Sequence, residues 1–189
     1  MEGPFFVDER LQRSDLTGAS RAAGIADAIP LQVLVTLRSA RGACEPLPAM
    51  QVDVWHCDAL GRYSDVGDQR GEPFLRGYQV SDSAGRVTFT TVYPGWYPGR
   101  TVHIHLKVRP ARASAKRGFE FTTQMFFDEA TNDTVLAQGP YASRGRRDTR
   151  NRDEGIEART PTLMARVSRD ANNRVLASLD LTLDLPQAA

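Results

Sequence analysis

Two of the three histidines in this sequence, His103 and His105, stand one residue apart in the stretch GWYPGRTVHIHLKV, residues 95 to 108. On an extended strand, side chains at i and i+2 leave the same face, so the two imidazoles point together, about 7 Å apart along the backbone. Val102, Ile104 and Leu106 leave the opposite face, toward a core, with the histidines on the polar side beside Lys107. Neutral imidazole is the commonest metal ligand. The pair therefore reads in two ways: as two ligands of one ion, or as two solvated or hydrogen-bonded histidines on a polar strand face.

A metal site needs further ligands. A cupin would place a glycine six residues before the first histidine and a glutamate four or five after the second, but Tyr97, Arg109 and Pro110 occupy those positions. HExxH is absent, which removes a zincin, and no CxxC pattern suggests structural zinc. The upstream candidates are tyrosines: Tyr63 in DALGRYSD, and Tyr93 and Tyr97 in YPGWYPGR. A phenol, with pKa about 10, ionises at neutral pH only beside a strongly acidic centre. Fe(III) is such a centre. A set of two histidines and two tyrosines thus argues for Fe(III) over Zn(II), and over Fe(II), whose oxygenase set is two histidines and a carboxylate.

The elements that must hold these residues show a period of two. LQVLVTLR (31–38), RVTFTTVY (86–93), HIHLKV (103–108), EFTTQMFF (120–127) and RVLASLDLTLDL (174–185) alternate apolar with polar side chains, as half-buried antiparallel strands do. Turn residues separate them at DALG (58–61), DSAG (82–85) and ANN (171–173). The expected fold is an all-β, antiparallel β-sandwich with long connecting loops and little helix. One domain spans 1–189, with 1–30 an extended N-terminal segment and 139–160 a long surface loop. GASRAAGIADAI (18–29) is the one candidate helix, weakened by its glycines.

VDVWHCDALGRYS (52–64), FLRGYQVSDSAGRVTFTTVYPGWYPGRTVHIHLKV (74–108), TTQMFF (122–127) and RGRRDTRNRDEGI (144–156) together resemble the intradiol ring-cleavage dioxygenases. The resemblance runs from EGPFFVD to about residue 156. It implies a mononuclear non-haem Fe(III) enzyme that inserts both atoms of O2 into a catechol-type diol. The ring would open between the hydroxylated carbons to give a cis,cis-muconate-type dicarboxylate. It further implies Tyr63, Tyr97, His103 and His105 as ligands, with Tyr93 the runner-up to Tyr97. Arg100, three residues before His103, and Gln124 match active-site positions, and Pro4 and Phe5 match a segment lining the substrate pocket. Thr101 stands where the family pattern has proline, the Tyr97–His103 spacing is short, and the N-terminal helical region of catechol dioxygenases is missing. The competing classes are a transthyretin-like binding module without catalysis and a metallohydrolase using the same site.

Bland roles fit the remaining candidates. His56 and Trp55 read as packed residues, and Arg144, Arg146 and Arg147 as a solvated loop in which Asp148 and Asp153 serve as partners. A net charge of +1, with acidic and basic residues mixed, argues against nucleic acid or an anionic membrane as partner. No apolar run reaches the roughly 20 residues of a membrane span. MEGPFFVDER lacks the marks of a signal peptide, so the chain reads as soluble, either cytoplasmic or a processed exported form. Cys44 and Cys57 are compatible with a disulfide or with two thiols. A homodimer is the expected assembly.

Overall fold

Alternating apolar side chains build two four-stranded sheets, and the side chains between them form the main core. The computed structural model describes residues 2–18, 23–111, 118–171 and 174–185. In chain order the strands are β1 (Pro30–Ser39), β2 (Met50–Trp55), β3 (Arg76–Val80), β4 (Arg86–Val92), β5 (His103–Pro110), β6 (Phe121–Phe126), β7 (Arg166–Arg169) and β8 (Val175–Leu183). One sheet has the order β4-β1-β8-β7 and the other β3-β2-β5-β6. Leu31, Val33, Val35 and Leu37 of β1, with the alternate residues of β8, meet Val52, Val54, Ile104, Leu106 and Val108 in a single buried cluster. The all-β sandwich expected from the period of two is the observed fold. One pairing departs from the antiparallel expectation, because β1 and β8 run parallel, Leu31 opposite Val175.

Four short helices are described: α1 (Ala23–Ala26), α2 (Glu129–Leu136), α3 (Gly139–Ala142) and α4 (Ile156–Arg159). α1 is what forms of the 18–29 segment, of which residues 19–22 lie outside the described residues, as do Asn172 and Asn173 of the expected ANN turn. α2 was not expected from its sequence. Asp128 caps it, Oδ1 accepting from Thr131 N at 2.7 Å and Oδ2 from the Thr131 hydroxyl at 2.6 Å. The 139–160 segment is likewise not all loop, since α3 and α4 stand at its two ends. No helix among the described residues is long and apolar enough to cross a membrane. Cys44 is exposed and Cys57 buried, and both are free thiols.

The feature that prepares a site is the outer face of the second sheet, which is covered as well. His103, His105 and Lys107 share that face yet are only 2%, 1% and 4% exposed. The N-terminal segment lies across it. Lys107 Nζ pairs with Glu2 at 2.6 Å and Glu120 at 2.9 Å, and sits 3.9 Å above the Phe6 ring. Arg109 holds Asp8 at 3.1 Å and Asp53 at 3.0 Å. A second, smaller cluster of Trp55, Cys57 and Tyr63 packs there with Phe5, Phe6, Val66 and Tyr97. The polar strand face expected from the sequence is therefore an interior.

Candidate metal centre

Tyr63 is delivered by the turn that follows β2. Asp58, fully buried, receives hydrogen bonds from Leu60 N and Arg62 N at 2.9 Å each, and from Arg62 Nε and Nη2 at 2.9 and 2.7 Å. Gly61 (φ +76) closes that turn against the 94–97 segment, where a Cβ would stand 2.3 Å from Trp96 O. The contact fixes the chain carrying Tyr63 beside the chain carrying Tyr97. Asp58→Ala is expected to lower stability by about 3 kcal/mol, since it strands several donors and a half-exposed guanidinium. Thermal unfolding should then shift down by about 6–12 °C. An unchanged midpoint would show that the turn holds without its carboxylate.

The histidines come from β5, flanked by β2 and β6. Trp55, opposite His105 in the β2–β5 register, stacks on its imidazole with centroids 4.7 Å apart and planes 7° from parallel. On the other side Gln124 is paired with His105, its Nε2 3.4 Å from His105 Nδ1. The Thr101 carbonyl lies 2.6 Å from His103 Nδ1 and accepts its proton, which leaves the Nε2 lone pair directed inward.

These pieces bring Tyr63, 40 residues from His103 in sequence, to the three groups of the 97–105 stretch. His103 Nε2 is 3.0 Å from His105 Nε2, 3.2 Å from the Tyr97 hydroxyl and 3.5 Å from the Tyr63 hydroxyl. Two nitrogens at right angles about one ion, each about 2.1 Å from it, would have that same N···N separation. Burial, and next to it the Arg100 charge, pushes His103 down to about 3, so its imidazole stays neutral and able to ligate. Burial pushes the Tyr63 phenol well above its ordinary value, and that of Tyr97 up as well. A neutral His103 imidazole facing phenols that ionise only beside a strong cation fits a hard trivalent metal. Among the described residues no three His, Cys, Asp or Glu side chains form a rival cluster.

Tyr93 is elsewhere: fully buried, its hydroxyl donates to Asn132 Oδ1 at 2.7 Å in the main core. His56 is also internal, with Nδ1 2.8 Å from Cys57 O and Nε2 2.8 Å from the Thr91 hydroxyl. Phe5 stacks on the Tyr63 ring at 4.4 Å and meets the edge of Tyr97 at 6.0 Å. Pro4 beside it is exposed. Arg100 lies at the cluster with Nη2 donating to Gln124 Oε1 at 2.8 Å.

Periodicity gave no sign of the residues behind this arrangement. Glu154 grips Arg100 Nε with both oxygens at 3.1 Å and accepts from Thr101 N at 2.5 Å. Asn151 accepts from the Thr101 hydroxyl at 2.6 Å and donates to Phe127 O at 2.7 Å. Both stand in RGRRDTRNRDEGI, whose likeness to the family was their single mark in the sequence. The loop arginines also differ from expectation. Arg147 pairs with Glu129 and Asp133 of α2, whereas Asp148 accepts from Gly99 N at 3.2 Å and Asp153 from Arg150 N at 2.8 Å. Arg144 lies over Trp96, 5.1 Å from its ring.

Comparison with known proteins gives the chain's fold family. A family model described as Dioxygenase matches residues 1–168. Over 147 residues, 68% of this chain, the sequence is 30% identical to a chlorocatechol 1,2-dioxygenase of Pseudomonas putida, of which it covers 52%. The chain spans about half the length of the curated relatives it matches. Among solved structures, an intradiol ring-cleavage dioxygenase from Tetranychus urticae superposes with TM-score 0.82 at 27% identity, covering 100% of this chain and 94% of that one. The dioxygenase domain of a carbohydrate-binding fusion protein from Streptomyces sp. SirexAA-E gives 0.66 at 27% identity, covering 98% and 96%. With a matching family model over most of its length and a sandwich that superposes throughout, the chain belongs to the intradiol ring-cleavage dioxygenase family.

Proposed function

We propose that this chain is a non-haem Fe(III) intradiol dioxygenase. Tyr63, Tyr97, His103 and His105 hold the metal, and Arg100 and Gln124 face a catechol-type substrate. The observation carrying the proposal is the convergence of two imidazole nitrogens and two phenol oxygens, all within 3.5 Å of His103 Nε2. Relatives named for chlorocatechol and protocatechuate support an aromatic 1,2-diol as the substrate class. A bound ferric ion supplies the Lewis acidity that lets both diol hydroxyls ionise near neutral pH.

The chain's own side chains divide the remaining work. Tyr63 is 5% exposed beneath Phe5 and stays in place, whereas Tyr97 is half-buried. Tyr97 Oη, as the phenolate, is therefore the oxygen that would be free to turn away and take up one of the diol protons, the other passing to solvent. Arg100, held by Glu154 and Gln124, sets a fixed positive charge against the negative charge that develops on the ring. Phe5 and the Trp55–His105 stack keep water off the ligand side. The balance is simple: diol plus O2 gives a dicarboxylic acid retaining both oxygen atoms, and no outside reductant is consumed.

Iron-loaded protein should absorb visible light through tyrosinate-to-iron charge transfer and take up one O2 per catechol. Tyr63→Phe is expected to shift and weaken that absorption markedly, leaving the share that Tyr97 contributes. A colourless iron-loaded protein with no oxygen uptake would sink the proposal, and an unchanged Tyr63→Phe spectrum would exclude Tyr63 from the ligand set.

A further inference from the structure

Beside the metal face lies a cavity of about 270 Å3 that the ligand set does not itself line. Gln124 and Glu154 line it: Gln124 Nε2 is 3.4 Å from His105 Nδ1, and Arg100 ties Glu154 to Gln124. Phe126, whose ring is 6.2 Å from that of His103, forms its floor with Ile156 and Leu163. At about 30 Å3 per water, this space equals roughly nine waters, room for an arm of several non-hydrogen atoms. Two charged side chains stand on its wall, Glu154 and Arg159. The Glu154 carboxylate is already met by Arg100 Nε and Thr101 N. Arg159 is exposed and lies back across Gly155, its Nε 3.3 Å from where a Cβ would stand. It forms no ion pair among the described residues. The charge left over in the cavity is thus positive, above an apolar floor.

We propose that the cavity receives a substituent of the diol ring: an apolar arm ending in an anionic group, with Arg159 as its counter-charge. The substrate class is then a catechol bearing a short carboxylate-terminated chain, which rests on the dioxygenase reading of the neighbouring site. Hydrocarbon on Phe126, Ile156 and Leu163 gains from leaving water, while the carboxylate keeps a cation and solvent at the rim.

The test measures kcat/KM of the iron-loaded protein for catechol, 4-ethylcatechol, 3-(3,4-dihydroxyphenyl)propanoate and the corresponding propanamide, each divided by the same protein's value for catechol. The propanoate is expected to exceed its uncharged isostere by about tenfold, as suits a partly solvated charge-assisted contact. Arg159→Gln should bring that ratio close to one, and Leu163→Trp, which fills the floor, should depress 4-ethylcatechol relative to catechol. Catechol turnover with no preference for propanoate over propanamide, or a preference that survives Arg159→Gln, would overturn the arm site and leave the dioxygenase standing. Failure to turn over any of the four diols would overturn both.

Discussion

His105→Ala is expected to emerge from purification with little iron and with oxygen uptake on catechol reduced by at least about 10³-fold. Residues that merely orient a metal ligand typically cost 10- to 100-fold when removed, so a ligand should cost more. The effect is compounded at this position. His105 is 1% exposed, supplies the nitrogen 3.0 Å from His103 Nε2, and forms the partner of the Trp55 stack. His105→Gln keeps most of the volume and a polar head, so it separates lost coordination from lost packing. Both variants should be folded by circular dichroism and iron-poor by metal analysis. Full iron content in a folded His105→Gln would exclude this imidazole as a ligand.

Arg100→Met should behave differently, retaining iron and its visible absorption while kcat falls about 10²–10³-fold, the usual cost of removing one fixed donor aimed at developing charge. Glu154→Gln separates charge from placement. The amide oxygen can still accept from Thr101 N, but the guanidinium loses its two-oxygen grip. An intermediate loss in kcat of about tenfold, with KM little changed, is the result expected of a positioning residue. If Arg100→Met and wild type share one kcat, the guanidinium is not near the reacting ring.

How much of this was legible follows from what kind of signal each residue carries. β1, β4, β5, β6 and β8 were readable because each alternates against a single large core. β3 and β7 were not, since Arg76–Val80 and Arg166–Arg169 are short edge strands with little apolar contrast. α2 carries few apolar residues, and its one clear sign, Asp128 capping toward Thr131, is short-range and easily overlooked. At the site, same-face projection of His103 and His105 follows from strand geometry alone. Phenol chemistry singled out three tyrosines as candidates, but which two belong to the set was legible only through resemblance, because the contact between the 58–61 turn and the 94–97 segment that brings Tyr63 to Tyr97 is tertiary. For the same reason the sequence could place Glu154 and Asn151 in a charged stretch but not against Arg100 and Thr101.

The parallel pairing of β1 with β8 bears on how the protein is made. The strand lying between β1 and β7 joins its partner 144 residues along the chain, Leu31 to Val175. Closing so long a loop is slow compared with zipping a hairpin. The sheet bearing the histidines depends instead on nearer partners, β2 with β3 and β5 with β6. During synthesis on the ribosome, the half of the sandwich bearing the imidazoles can therefore take shape while one backbone edge of β1 still waits for its neighbour. A nascent chain stalled before β8 would expose that unpaired edge to chaperones or to aggregation.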